Sequence, residues 1–143
     1  MPNPIVSKAS TTWNGDLFGG SGSTRLDSSG LATFDVAWKN RAESHDGGTS
    51  PEELIAAAHA TCFSMALAKE LNDNGTPPTQ LDTSAEVTFV AGEGITGIVL
   101  RCDAQVPDIS AEDFQSIADT AKTGCPTSQA LQAVPITLDA KLV

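Results

Sequence analysis

Apolar and polar positions alternate over the first forty residues and again beyond residue 80, and one long apolar block lies between. Ile5 to Trp13 and Ser21 to Leu26 predict two strands. Ala32, Phe34, Val36 and Trp38 alternate with Thr33, Asp35 and Ala37, which predicts a third strand with one strongly apolar face. Asn14-Gly15-Asp16, the run Gly19 to Ser23, and Ser28-Ser29-Gly30 are turn material. Together these stretches read as a three-stranded antiparallel meander.

Asn40 to Thr49 is polar, carries Gly47-Gly48 and reads as a loop that also holds Arg41. A strong helix start follows. Ser50 suits an N-cap, Pro51 fits the first helical position, and Glu53 stands where a capping box needs its acid. The helix is predicted to run to Asn72 or Asn74 and to stop at Gly75-Thr76-Pro77-Pro78. From Leu54 to Leu67 it is apolar nearly all round, and a helix of that kind is buried all round. In so small a chain, its own sheet and a partner subunit would share that burial.

Ala85, Val87 and Phe89, then Ile98, Leu100, Cys102, Ala104 and Val106, predict two more strands joined by a glycine-rich turn between Ala91 and Gly97. Ser110 opens a second helix with Asp113 three residues on, and Phe114, Ile117, Ala118 and Ala121 form its apolar stripe. Thr123-Gly124 ends it, Cys125-Pro126 starts a short helix through Leu131, and Ile136, Leu138, Ala140 and Leu142 alternate as a closing strand. The order is βββ-α-ββ-α-α-β. Strands grouped in runs indicate an α+β fold rather than a βαβ one.

The chain has 143 residues, and 40% of them are apolar. That is the size of one domain spanning residues 1–143, with enough surface to bury for a core without metal or disulfide. A net charge of −10 repels phosphate backbones and anionic lipid, which argues against nucleic acid or a membrane surface as partner. Leu54 to Ala68 is too short to span a bilayer. Met1 to Ser10 lacks the basic and apolar regions of an export signal. Three cysteines without such a signal do not read as a secreted disulfide scaffold, so a reducing, cytoplasmic compartment is expected.

Cys62 lies mid-helix, where a free cysteine is ordinarily a small hydrophobe and no helix dipole activates it. Cys125 stands at the N-cap of the short helix. It either replaces a serine cap or is a thiol whose pKa the free N–H groups lower, and both readings stand locally. Cys102 shares the apolar face of its strand and reads as core. His59, one turn before Cys62, reads as a satisfied helix residue, since one or two cysteines and a histidine without ligand spacing make no convincing metal site. His45 is a loop residue. Arg41 by itself reads as a solvated arginine at a strand end, and Glu52 and Glu53 as acids that favour the positive end of a helix.

Longer runs carry a resemblance. Ser50-Pro51-Glu52-Glu53-Leu54 through His59-Ala60-Thr61-Cys62-Phe63-Ser64-Met65-Ala66-Leu67 resembles the central helix of the OsmC/Ohr family, the osmotically inducible and organic-hydroperoxide-resistance proteins. Ala121-Lys122-Thr123-Gly124-Cys125-Pro126-Thr127-Ser128-Gln129-Ala130-Leu131 resembles that family's second cysteine segment. Thr12-Trp13-Asn14-Gly15 and Ile136-Thr137-Leu138-Asp139 also fit, so the likeness covers Lys8 to Leu142 and leans to the OsmC branch.

The resemblance implies an OsmC-like fold, with a long buried central helix packed on antiparallel sheets, and an intertwined homodimer with its sites at the interface. It implies a thiol peroxidase acting on organic hydroperoxides, and more weakly on hydrogen peroxide. Cys62 would be the peroxidatic residue, Cys125 the resolving one, Arg41 the catalytic arginine with Arg25 as the fallback, and Glu52 its orienting partner. No bound cofactor is implied, but an external dithiol, lipoyl-type among the candidates, would reset the enzyme. Phe34, Trp38, Phe63 and Met65 are candidates to line an apolar substrate pocket. Glu52 and Cys62 are ten residues apart, about 15 Å along one helix, so Glu52 is expected to serve the Cys62 of the other subunit. The rival readings are a redox-sensing or ligand-binding stress protein with little turnover, a thin metal site at His59, Cys62 and Cys125, and a structural protein with incidental thiols.

Overall fold

The computed structural model describes residues 2–143, which form two compact units divided after Pro51. In the first unit, β1 (Ala9–Asn14), β2 (Ser21–Leu26) and β3 (Thr33–Val36) form an antiparallel sheet in the order β1-β2-β3. The β1–β2 turn closes around Asp16, whose carboxylate accepts from Gly19 N–H at 2.7 Å and whose carbonyl accepts from Gly20 N–H at 3.0 Å. A Cβ at Gly20 would collide with the carbonyls of Asn14 and Asp16, so the turn requires glycine there.

The third strand is shorter than the alternation predicts. It stops at Val36, and α1 (Trp38–Ala42) follows where a strand end and loop were expected. Trp38 keeps the parity of the strand pattern, but Lys39, Arg41 and Ala42 are good helix formers. Trp38 packs edge-on against Phe18 at 5.6 Å, and the Asn40 amide ties the following loop through the Ser44 and Asp46 carbonyls at 3.3 and 2.9 Å. Arg41 is therefore a helix residue. The first predicted strand also begins later, at Ala9.

α2 (Pro51–Asp73) begins at the proline that the sequence predicts, and from Glu52 onward it belongs to the second unit. Its end is a Schellman cap: Gly75 has φ +79°, Thr76 N–H reaches the Leu71 carbonyl and Gly75 N–H the Asn72 carbonyl, both at 3.0 Å. His59, Phe63, Leu67 and Leu71, spaced four apart, form the buried ridge. The opposite side is open in the single chain, with Met65 70% exposed, so all-round burial is not reached within one copy. At 23 residues, α2 is by length and composition alone apolar enough to cross a membrane, contrary to the expectation from Leu54–Ala68. The helix extends past that stretch into polar turns at both ends, and its ridge builds a protein core, as core helices of this length do.

β4 (Gln80–Val90) and β5 (Gly94–Gln105) form a long hairpin; α3 (Ala111–Gly124) and α4 (Pro126–Ala130) then lead to β6 (Ile136–Leu142). The sheet order is β4-β5-β6, and β6 runs parallel to β5. This corrects the expectation of purely antiparallel sheets: the two helices between β5 and β6 supply the crossover that a parallel neighbour needs. Ile98, Leu100, Cys102 and Ala104 point from β5 into the core. All but Ile98 join Phe63, Leu67, Leu71, Phe114, Ala118, Ala121 and Ala140 in one cluster. Ser110 caps α3 by accepting from Asp113 N–H at 3.1 Å.

Candidate active site

The second unit brings Cys62 of α2 to Cys125, the N-cap residue of α4. Cys125 is fully buried and Cys62 half-buried; both are free thiols. Pro126 occupies the first position of α4, so Thr127 and Ser128 are its next two residues, in the turn where N–H groups lack helical partners. Burial pushes the Cys62 thiol up, but hydrogen bonding from the Thr127 hydroxyl, the Cys125 thiol and the Thr127 N–H outweighs it, and the pKa lies below the ordinary thiol value. For Cys125 the balance is reversed. Burial and the hydrogen bond to Cys62 raise its pKa against the opposing pull of the Ser128 N–H and hydroxyl and the Thr127 N–H.

Of the two local readings of Cys125, a plain cap or a thiol activated by the first turn of α4, a pKa raised by burial does not favour the activated thiol. In the fold that turn also serves Cys62 across the gap, and Cys125 gives a hydrogen bond that stabilises the Cys62 thiolate. The two thiols are thus shifted in opposite directions, Cys62 down and Cys125 up, the order a nucleophile and its resolving partner need.

His59 is fully buried on the same helix as Cys62, and its Nε2 lies 2.7 Å from the Ser128 hydroxyl, joining α2 to α4. Burial lowers its pKa, which keeps the imidazole neutral. Thr127 and Ser128 were not singled out from sequence, although their place behind Cys125-Pro126 in a helix's first turn was a usable signal. Cys102 lies in the core with its thiol pushed up by burial, its sulfur accepting from the Thr83 hydroxyl at 3.5 Å. A cavity of about 600 Å³ lined by Thr61, Ser64, Thr83, Arg101, Cys102 and Lys141, among others, includes neither Cys62 nor Cys125.

Glu52 is buried in the first turn of α2, ten residues ahead of Cys62. Arg41 on α1 and Arg25 on β2 belong to the first unit, where Arg25 pairs with Asp27 at 3.4 Å on an exposed surface. Phe63 is core and Met65 exposed, while Phe34 and Trp38 sit on β3 and α1 of the first unit. No group of three or more His, Cys, Asp or Glu placed to hold a metal occurs among the described residues.

Fold and site together define an α+β protein built around a pair of unlike thiols. The family described as OsmC-like protein matches residues 44–139. The chain is 44% identical to peroxiredoxin OsmC of Escherichia coli K12 over 141 residues, covering 96% of this chain and 97% of that one. It is 31% identical over 120 residues to the organic hydroperoxide resistance protein OhrB of Bacillus subtilis, covering 78% and 84%. The crystal structure of Bacillus subtilis OhrB superposes with a TM-score of 0.72 at 27% identity, over 94% of this chain and 98% of that one. The chain belongs to the OsmC/Ohr family, on its OsmC branch.

Proposed function

We propose that the protein is a cysteine-based peroxidase that reduces organic hydroperoxides to alcohols, and hydrogen peroxide more weakly. The observation that carries this reading is the meeting of two free thiols, Cys62 half-buried on α2 and Cys125 fully buried at the start of α4, with hydrogen bonding lowering the pKa of Cys62 and burial raising that of Cys125. The names of the relatives, a peroxiredoxin and organic hydroperoxide resistance proteins, point the same way. The Cys62 thiolate attacks the distal peroxide oxygen; the O–O bond breaks, the sulfur becomes a sulfenic acid, and the alkoxide takes a proton to leave as alcohol. Cys125 then displaces hydroxide from that sulfur, forming the Cys62–Cys125 disulfide and water. An external dithiol of the lipoyl type reduces the disulfide, so no bound cofactor is needed.

Arg41, with Arg25 as the alternative, polarises the peroxide and holds charge on the leaving oxygen, and Glu52 orients that guanidinium. Glu52 and Cys62 are both on α2, about 15 Å apart along its axis, so Glu52 serves the Cys62 of a second copy. The working form is a cytoplasmic intertwined homodimer in which each chain acts as one domain. The open side of α2 around Met65 supports a partner there.

The test is a stopped-flow reaction of the reduced protein with one equivalent of cumene hydroperoxide or hydrogen peroxide. The wild type is expected to lose two thiols rapidly, faster with the organic peroxide. Cys125→Ser should accumulate a trappable sulfenic acid, and Cys62→Ser should not react. Slow and equal thiol loss in all three proteins would refute the peroxidase and favour a protein with incidental thiols.

A further inference from the structure

His59 and Ser128 take no part in the peroxide chemistry above, yet they tie together the two elements that carry the cysteines. Nε2 of His59 on α2 lies 2.7 Å from Oγ of Ser128 on α4. Both side chains are shielded from solvent, at 0% and 6% exposure. Each stands one turn from a cysteine. His59 precedes Cys62 on α2 by a rise of about 4.5 Å, so the two are neighbours on that helix's surface. Ser128 follows Cys125 in the short helix that begins at that N-cap. The other ring nitrogen of His59, Nδ1, has no hydrogen-bond partner among the described residues. A buried N–H without an acceptor is costlier than a bare lone pair, so the imidazole carries its proton on Nε2 and donates it to the serine. At 5 residues, α4 is too short to hold its helix by its own backbone bonds, so tertiary ties fix its place.

We propose that His59 and Ser128 are positioning residues for the resolving step, their buried hydrogen bond acting as a strut that holds α4 against α2 with Cys125 within bridging reach of Cys62. The proposal rests on the Cys62–Cys125 disulfide of the peroxidase reading and deepens it. In that step the S–S bond forms as the S–O bond of the Cys62 sulfenic acid breaks. Cys125 is oxidised, the sulfenic sulfur is reduced, and the Cys125 proton and the departing hydroxide leave as water. A disulfide tolerates only a narrow geometry, with Cα atoms about 4.4–6.8 Å apart, so a small drift of α4 would put the bond out of reach. Drift would also break the strut, in a place where water is excluded from replacing it. The strut therefore raises the effective concentration of one sulfur at the other. Because coupling is reciprocal, the disulfide that the strut favours is also the harder one to reduce.

The test equilibrates the whole protein with mixtures of reduced and oxidised dithiothreitol and reads the potential of the Cys62–Cys125 disulfide, a measurement that needs no peroxide. Ser128→Ala and His59→Phe should each make that disulfide about three- to tenfold easier to reduce, the worth of one hydrogen bond, which raises the potential by about 15–30 mV. The double variant should match the single ones, because both remove the same bond. His59→Gln keeps an N–H donor and should bring the potential back toward that of wild type. A bond that merely supports the fold would lower stability alike in both redox states and leave the potential where it is. An unchanged potential in Ser128→Ala therefore overturns the proposal, as do additive shifts in the double variant. Ser128→Ala removes one oxygen and decides the matter even if the His59 variants do not fold. If no Cys62–Cys125 disulfide forms in any mixture, the strut has nothing to position and the proposal falls. If the potentials shift as expected but wild type forms no sulfenic acid with peroxide, the strut stands and the peroxidase reading has failed.

Discussion

Cys62 sits in the body of α2, where the helix's own dipole gives it no help, and its thiol is nonetheless held below the ordinary value by Thr127 and Cys125. The peroxide rate follows the thiolate fraction, so it should stay level at high pH and fall as the pH drops through the lowered Cys62 pKa. Thr127→Val removes one of the hydrogen-bond donors and should move that inflection to higher pH in a stopped-flow pH profile; an unchanged inflection would show that the hydroxyl is idle. His59 gives a different pH signature. Burial lowers its pKa, so below about 6.5 the unfolded imidazole takes up a proton that the folded one refuses. Stability is therefore unaffected by this group above that pH and declines as the pH falls below it. Denaturant unfolding of wild type should show this slope, and His59→Gln should flatten it.

Among the elements, α2 shows how local rules and packing divide the work. Pro51 starts it and the Gly75 cap ends it, both set by neighbouring residues alone. Gly75→Ala meets no side chain or backbone, yet it forces a Cβ into a left-handed conformation. The cost should be about 1–2 kcal/mol in chemical denaturation, with peroxidase activity retained. The α3 cap at Ser110 and the alternation of β5 follow from sequence in the same way. The direction of β6 does not. Ile136, Leu138 and Ala140 would alternate identically in either direction, and the path through α3 and α4 decides for parallel. Trp38 is a second case, since its apolar parity with Phe34 and Val36 says nothing about where the strand stops.

For the whole molecule, the assembly is best tested by complementation. Cys62→Ser and Glu52→Gln chains are each expected to be inactive alone. If Glu52 serves the partner's Cys62, coexpressed mixed dimers contain one intact site and should recover a measurable part of wild-type turnover. If Glu52 acts within its own chain, no mixed site is intact and no activity returns. Gel filtration of the mixture with differently sized tags checks that mixed dimers have formed.

Helix ends, strand faces and the family were determined by the sequence alone, because they depend on residues a few places apart or on long runs in a recognisable order. The runs from Ser50 to Leu67 and from Ala121 to Leu131 carried the two cysteines with them. Which thiol is the acidic one was a tertiary matter. Read locally, Cys125 had the helix N-terminus and Cys62 had nothing. In the fold, α4 brings Thr127 to Cys62, burial keeps Cys125 protonated, and His59 meets Ser128 across 69 residues of chain. Desolvation and hydrogen bonding act through space at a few ångströms, so the chemistry of a thiol is set by neighbours that its sequence position does not reveal.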